Sequence, residues 1–266
     1  YFIIIKKNMV NIDTVYQKVL AFANKEQRGY ITPQEFNLFA DQAQKEIFEQ
    51  YFYDLNQFKR VPGNSSDYAD MVDYLEDKIS VFSDSKRDVT VLDEFGYIDV
   101  MDEIEDLYRI TQVVVRYSGA SRNVVAEQLN QKDFSFITNH MRRFGDSQSK
   151  KRPVYLKSGD ITNNVSGYEY NGQNIQIFPF PSTDNSVDQV FIFYIRFPKP
   201  PNWAYKIINQ KPFYDGPNST NFELHQSDES ELVYRILFMA GGAIEKPPLS
   251  QAAAALPTSI IQQEKQ

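Results

Sequence analysis

Carboxylates, two histidines and one loop of calcium-binding type are the groups of this chain that could do chemistry. The residues from Asn24 to Glu35 match an EF-hand loop at Gly29, the sixth position, at Ile31, the eighth, and at Glu35, the twelfth. The fifth position holds Arg28, which puts a cation where the loop needs an oxygen ligand, and the first holds asparagine rather than aspartate. We therefore favour a helix–turn–helix corner with Gly29 in a left-handed conformation over a calcium site.

An acidic stretch at positions 99–106 is the second candidate. Its carboxylates belong to Asp99, Asp102, Glu103, Glu105 and Asp106, and they could serve an acid–base reaction if the fold gathered them with a histidine. His140 and His225 lie far apart in the sequence, the chain has no cysteine, and Ser121 lacks the second glycine of a nucleophile elbow. Because such a run is more often a solvated face, we predict no enzyme, no cofactor and no metal site.

The charge balance bears on nucleic acid. The chain has 28 Lys and Arg residues against 35 Asp and Glu residues, a net charge of −7, which argues against a dedicated nucleic-acid binder because such binding depends on neutralising phosphates. One stretch is basic, and it consists of Arg142, Arg143, Lys150, Lys151 and Arg152. A contact to the DNA backbone, a solvated loop and docking onto an acidic protein rim all remain open for it.

Aromatic residues make up 14% of the 266 positions, and many of them follow a helical period. Thr32, Pro33 and Glu35 predict a capped helix start, and behind them an apolar stripe runs to position 55. We predict that an oligomer or partner interface is formed by Phe39, Ile47, Phe48, Tyr51, Phe52 and Trp203. Burial of the stripe inside the chain's own core is the alternative.

The remaining patterns predict an α+β fold. An N-terminal helical hairpin or bundle is completed by a C-terminal helix that starts at Asp228, and a central antiparallel β insertion separates the two. We place the helical region at 9–88, the insertion at 89–203, the C-terminal helix at 204–248 and a flexible tail at 249–266. Residues 1–8 are expected to be a non-native or disordered leader, with Met9 as the true start. No apolar run in the sequence reaches the length of a membrane span.

Five segments between residue 11 and about residue 255 carry a resemblance, namely Asn11–Tyr16, Asn24–Asn37, Asp106–Ile110, Tyr194–Trp203 and Phe222–His225. They resemble structural proteins encoded by tailed phages, including crAss-like and marine metagenomic viruses. The order of N-terminal helices, β insertion, an arginine–proline–tryptophan stretch and an alanine-rich C-terminal helix is similar to head-to-tail adaptors of the tail-tubular ring type.

The resemblance implies a virion protein made in the cytoplasm of a bacterial host and without a catalytic residue. Such adaptors form homo-oligomeric rings, commonly twelve-fold, that bind the portal above and the tail or neck proteins below while DNA passes through unread. The acidic net charge agrees with that passage. Another capsid- or tail-associated protein, such as a decoration, hub or fibre-base protein, is the alternative, and an enzyme that uses residues 99–106 is a further one.

Overall fold

The structure is a computed structural model that describes residues 9–25, 31–60, 66–92, 95–119, 122–141, 150–159, 161–163, 168–170, 174–184 and 187–243. The leader 1–8 and the tail 249–266 lie outside these residues. The chain divides into two compact units, one of residues 1–81 and 198–266 and the other of residues 82–197. We call them the helical unit and the β unit. Together they confirm the α+β class.

The described residues form the following elements in chain order. The helices are α1 (Ile12–Lys25), α2 (Pro33–Arg60), α3 (Ser66–Ser80), α4 (Val100–Glu103), α5 (Gln131–Met141) and α6 (Glu229–Ala243). The strands are β1 (Ser83–Lys86), β2 (Tyr97–Asp99), β3 (Leu107–Arg116), β4 (Val124–Leu129), β5 (Val154–Ser158), β6 (Ile161–Asn163), β7 (Tyr168–Tyr170), β8 (Asn174–Phe178), β9 (Gln189–Arg196), β10 (Tyr205–Ile208) and β11 (Lys211–Tyr214).

Side-chain caps start the first two helices, and the second is the cap that the sequence predicts at Thr32. Asn11 Oδ1 accepts hydrogen bonds from the N–H groups of Asp13 at 2.9 Å and Thr14 at 3.1 Å. Thr32 N–H donates to Glu35 Oε2 at 2.9 Å, and Glu35 N–H donates to Thr32 Oγ at 3.3 Å, which is a capping box. The backbone N–H and the hydroxyl of Thr32 hold the pKa of Glu35 below its ordinary value. The Glu35 carboxylate therefore serves the helix start.

The start of the last helix differs from the prediction. The helix begins at Glu229, after a short 3₁₀ turn of Gln226–Asp228 that His225 Nδ1 caps by accepting from Ser227 N–H at 3.2 Å. Asp228 is buried instead, because Tyr51 OH donates to its Oδ2 at 2.6 Å and Lys78 Nζ donates to its Oδ1 at 2.7 Å. These two donors come from α2 and α3, so one carboxylate joins three helices of the helical unit. Burial, and then the charge of Asp228, raise the pKa of the Tyr51 hydroxyl.

Three polar side chains lie seven residues apart on α2, namely Asn37, Gln44 and Tyr51. Seven residues are close to two helical turns, so the three share one side of the helix. Each binds the returning part of the chain between 198 and 228, which we call the return segment. We refer to these three side chains as the polar row of α2.

Gln44 is the most deeply buried member of the polar row, with no exposed surface. Its Nε2 donates to the carbonyl of Lys199 at 2.8 Å, and its Oε1 accepts from the N–H of Glu223 at 3.0 Å. One amide thus pairs two main-chain groups that are 24 residues apart, and Lys199 N–H donates to the Glu223 carboxylate at 2.8 Å. The two ends of the return segment are held side by side against α2.

The β unit contains a seven-stranded sheet in the order β1-β9-β3-β4-β5-β8-β2. Its neighbours are antiparallel except β4 and β5, which pair in parallel with Glu127 opposite Val154. The predicted antiparallel insertion therefore contains one parallel pair, because α5 crosses over between the two strands and lets the second run in the same direction as the first. Phe134 on α5 packs in a buried cluster with Val154, Leu156 and Phe178, so this helix packs against β5 and β8.

The polar row of α2 generates a stability prediction. We expect Gln44→Ala to lower the free energy of unfolding by about 2 kcal/mol, because two partly buried main-chain groups lose their partner. The exposed Gln42→Ala is the matched control and should stay within about 0.5 kcal/mol of the wild type. Trp203 is the single tryptophan and lies in the helical unit, so its fluorescence in a denaturant titration reports on this unit. Equal midpoints for the two variants would refute the assigned role of Gln44.

Candidate docking surface of the helical unit

Trp203 anchors the return segment and is 2% exposed. Its backbone N–H donates to Asn37 Oδ1 at 2.8 Å, and its indole Nε1–H donates to Asp13 Oδ1 at 3.0 Å. The ring of Tyr16 lies 4.3 Å from it, centroid to centroid. The two N–H groups of Trp203 are hydrogen-bonded and its ring is packed. Residues of α1 and α2 therefore fix the position from which the chain continues after Trp203.

The chain continues directly from Trp203 into a hairpin formed by β10 and β11. Asn209 and Gln210 make its two-residue turn with φ values of 49° and 62°, which is the geometry of a type I′ turn. Tyr205 and Tyr214 stack on the indole of Trp203 at centroid distances of 6.0 Å and 5.7 Å. An isolated two-stranded hairpin is marginal in water, and this stack holds the present one to the helical unit.

The tip of the hairpin exposes large apolar side chains. The exposed fractions are 72% for Ile207, 52% for Ile208 and 51% for Phe213. Because neighbouring residues of a strand point to opposite sides, Ile207 and Ile208 give each side of the hairpin an exposed apolar residue. Such exposure on both sides is typical of a segment that a partner covers.

The hairpin is also basic within an acidic protein. It contains Lys206 and Lys211 and no acidic residue, so it contributes +2 to a net charge of −7 and the rest of the chain carries −9. Lys206 Nζ lies 3.0 Å from Asp215 Oδ2 at the base of the hairpin. Asn218 Nδ2 donates to the same oxygen at 2.7 Å. These hydrogen bonds, first from Asn218 and then from Lys206, lower the pKa of Asp215.

The predicted interface residues lie elsewhere, on and beside α2. Ile47, Phe48 and Tyr51 are buried with exposed fractions of 1%, 0% and 4%, and Trp203 is buried as described above. Phe39 and Phe52 are half-buried, and the ring of Phe52 lies 5.1 Å from that of Phe48. The interface assignment of the four buried residues is corrected, because the chain's own helices and return segment already cover them.

The basic stretch is only partly described. Arg142 and Arg143 lie outside the described residues, whereas Lys151 and Arg152 are exposed. Lys150 Nζ lies 5.5 Å from the centre of the Tyr117 ring, a cation–π contact within the β unit. Docking of this stretch onto a portal rim or a DNA backbone stays a prediction.

The acidic stretch and the histidines have structural contacts. Asp99 caps α4 by accepting from two backbone N–H groups. Glu103 accepts from Thr90 N–H at 3.2 Å and pairs with Lys86 at 3.4 Å. His225 caps the turn before α6, and the side chain of His140 lies outside the described residues. Within the described part of the chain, no three histidine, cysteine or acidic residues are grouped so that they could hold a metal ion.

Comparison with known proteins adds no relative. No protein-family model matches the chain, and no curated protein is significantly similar to it. Among the described helices, none has both the length and the apolar character needed to cross a membrane. The function is therefore proposed from the residues themselves.

Asp215 generates a pH prediction. Because the folded state lowers its pKa, Asp215 stabilises the hairpin near neutral pH, and this contribution is lost as the pH falls through the lowered pKa. We expect the Trp203 fluorescence, which senses the stacked Tyr205 and Tyr214, to change below the ordinary carboxylate pKa of about 4. Asp215→Asn should show the altered signal already at neutral pH.

The exposed Asp73→Asn is the control for this titration. It should keep the wild-type fluorescence and the wild-type acid transition. An Asp215→Asn protein that titrates like the wild type would show that Asp215 does not hold the hairpin.

Proposed function

We propose that this chain is a structural component of a tailed-phage virion. In this proposal it is a head-to-tail adaptor that assembles as a homo-oligomeric ring beneath the portal, docks the tail and neck proteins and lets DNA pass. It is made in the cytoplasm of a bacterial host, is located in the neck of the particle and acts by assembly rather than catalysis. The resemblance of the segments between residues 11 and 255 supports the class. The exposed, two-sided apolar hairpin of β10 and β11 carries the structural side of the proposal.

The hairpin supports docking because its apolar tip is large and is placed by stable contacts. Covering a side chain of the size of Ile207 or Phe213 is worth about 1.5–3 kcal/mol each. Their positions follow from the Trp203 stack and from Asn37 on α2. An ordered apolar surface loses less conformational entropy on binding than a flexible one. The hairpin is therefore suited to a permanent contact.

Charge supports a second copy of the chain as one partner. Lys206 of the hairpin pairs with Asp215 of the same copy, whereas Lys211 is exposed. Because the chain outside the hairpin carries −9, Lys211 of one copy is attracted to acidic surfaces of the next. A contact between different surfaces of two copies is heterologous, and repetition of such a contact closes into a ring when the rotation allows. The sequence pI of about 5.0 also fits a ring through which DNA slides without being gripped.

The proposal predicts that hairpin variants fail to assemble while remaining folded. We expect the double variant Ile207→Gln/Phe213→Gln to weaken association about a hundredfold, since two buried apolar side chains are worth about 3 kcal/mol and each 1.4 kcal/mol is a factor of ten. Sedimentation velocity and negative-stain imaging, alone and with portal protein, measure the loss. Assembly should appear as multiples of 30.9 kDa.

A matched control uses two equally exposed apolar residues of α2. Leu38 and Tyr53 are 71% and 69% exposed, and Leu38→Gln/Tyr53→Gln should assemble like the wild type. Phe48→Glu is unsuitable as an assembly probe, because a charge at this fully buried position unfolds the helical unit. A wild-type protein that stays monomeric at high concentration and does not bind portal would contradict the adaptor proposal.

Genome position provides a second test. An adaptor gene is expected next to portal and capsid genes. A protein that binds particles without forming a ring would instead favour a decoration, hub or fibre-base role.

A further inference from the structure

A groove of about 620 Å³ runs along the helical unit between α1 and β11. Trp203 and Tyr16 line its inner part, Leu20 belongs to the α1 wall, and Phe213 and Tyr214 belong to the β11 wall. Phe213 and Tyr214 are 51% and 38% exposed. The groove is therefore aromatic and open to a ligand along one side.

The main chain of β11 is unsuited to accept another strand. Pro212 lines the groove and lies opposite Ile207 in the hairpin. In a two-residue hairpin the residues of the Ile207–Pro212 pair do not hydrogen-bond to each other, so their main-chain groups point away from the partner strand. Proline has no N–H that could bind an added strand there. A ligand in polyproline II conformation needs no ladder of backbone hydrogen bonds, and aromatic grooves bind such segments.

Two charged side chains at the groove specify what else the ligand carries. Asp13 lines the groove and uses one oxygen, Oδ1, for the Trp203 indole, which leaves its carboxylate able to accept from a cation. Lys211 lines the opposite wall and is exposed. A complementary ligand is a proline-rich segment that carries one basic and one acidic residue.

The sequence of the chain contains such a segment after α6, Glu245-Lys246-Pro247-Pro248-Leu249. The other proline-rich stretch, Pro198–Pro201, belongs to the return segment, where the carbonyl of Lys199 is bound by Gln44 and Pro198 and Pro201 are buried. Residues 245–249 are thus the segment of this chain with the matching chemistry.

We propose that the groove binds residues 245–249 of a second copy of this chain, with Lys246 at Asp13, Glu245 at Lys211 and the two prolines against the aromatic walls. This inference rests on the proposed function, because it requires copies that associate. The groove and its ligand are different parts of the chain, so each copy donates one segment and accepts another. The contact is heterologous, as a ring requires.

The test uses a labelled peptide of residues 243–251 and the full-length protein. The full-length variant Pro247→Ala/Pro248→Ala, whose own segment no longer competes, is titrated with the peptide, and fluorescence anisotropy gives the dissociation constant. Adding Tyr214→Ala should weaken binding at least tenfold, as expected for an aromatic anchor. Adding Asp13→Asn should weaken it about fivefold, and Tyr53→Ala is the exposed-tyrosine control.

Association of the full-length proteins completes the test. Weaker self-association of Pro247→Ala/Pro248→Ala together with peptide binding that depends on Tyr214 supports the proposal. Failure of the peptide to bind while the wild type still assembles overturns the groove assignment and leaves the adaptor proposal standing. If the peptide binds but the proline variant self-associates like the wild type, the proposal that the groove binds the segment of a second copy is overturned.

Discussion

The polar row of α2 is the constraint on which the helical unit depends. Asn37 and Gln44 bind main-chain groups of the return segment that would otherwise lack a partner against the helix. Tyr51 binds the carboxylate of Asp228 at the end of the same segment. Asn37 fixes the backbone of Trp203, the indole ring of Trp203 supports the hairpin, and the hairpin forms one wall of the groove. One side of α2, together with Asp13 and Tyr16 of α1, thus positions the candidate docking surface.

The polar row determines where the return segment lies on α2 more than it adds to the free energy of unfolding. A buried hydrogen bond contributes only about 1 kcal/mol net, whereas a buried group without a partner costs more. Gln44 matches one acceptor and one donor of the return segment, so a shifted register leaves both unpaired. Lys78 and Asp228 act in the same way, since their side chains are 10% and 9% exposed and removal of either leaves a nearly buried charge.

Sequence patterns predicted helices and strands more accurately than they predicted which surfaces are exposed. Local signals identified the capped helix start at Thr32, and the remaining patterns identified a β region between the N-terminal and C-terminal helices. The hairpin was missed, because Asn209–Gln210 lacks the glycine that usually marks its turn. The stripe of Phe48 was assigned to an interface, since periodicity shows that a face is apolar but not what covers it. The polar row could not be predicted either, because three polar residues at a helical period resemble a solvated face.

The central claim is that the hairpin is exposed in the free chain and covered in the assembled particle. Hydrogen–deuterium exchange measures this directly when a dilute monomer is compared with the assembled protein. The account predicts slower exchange throughout residues 205–214 on assembly, with unchanged exchange in the already buried centre of α2 around Phe48. Assembly that leaves the exchange of residues 205–214 as fast as in the monomer would contradict it.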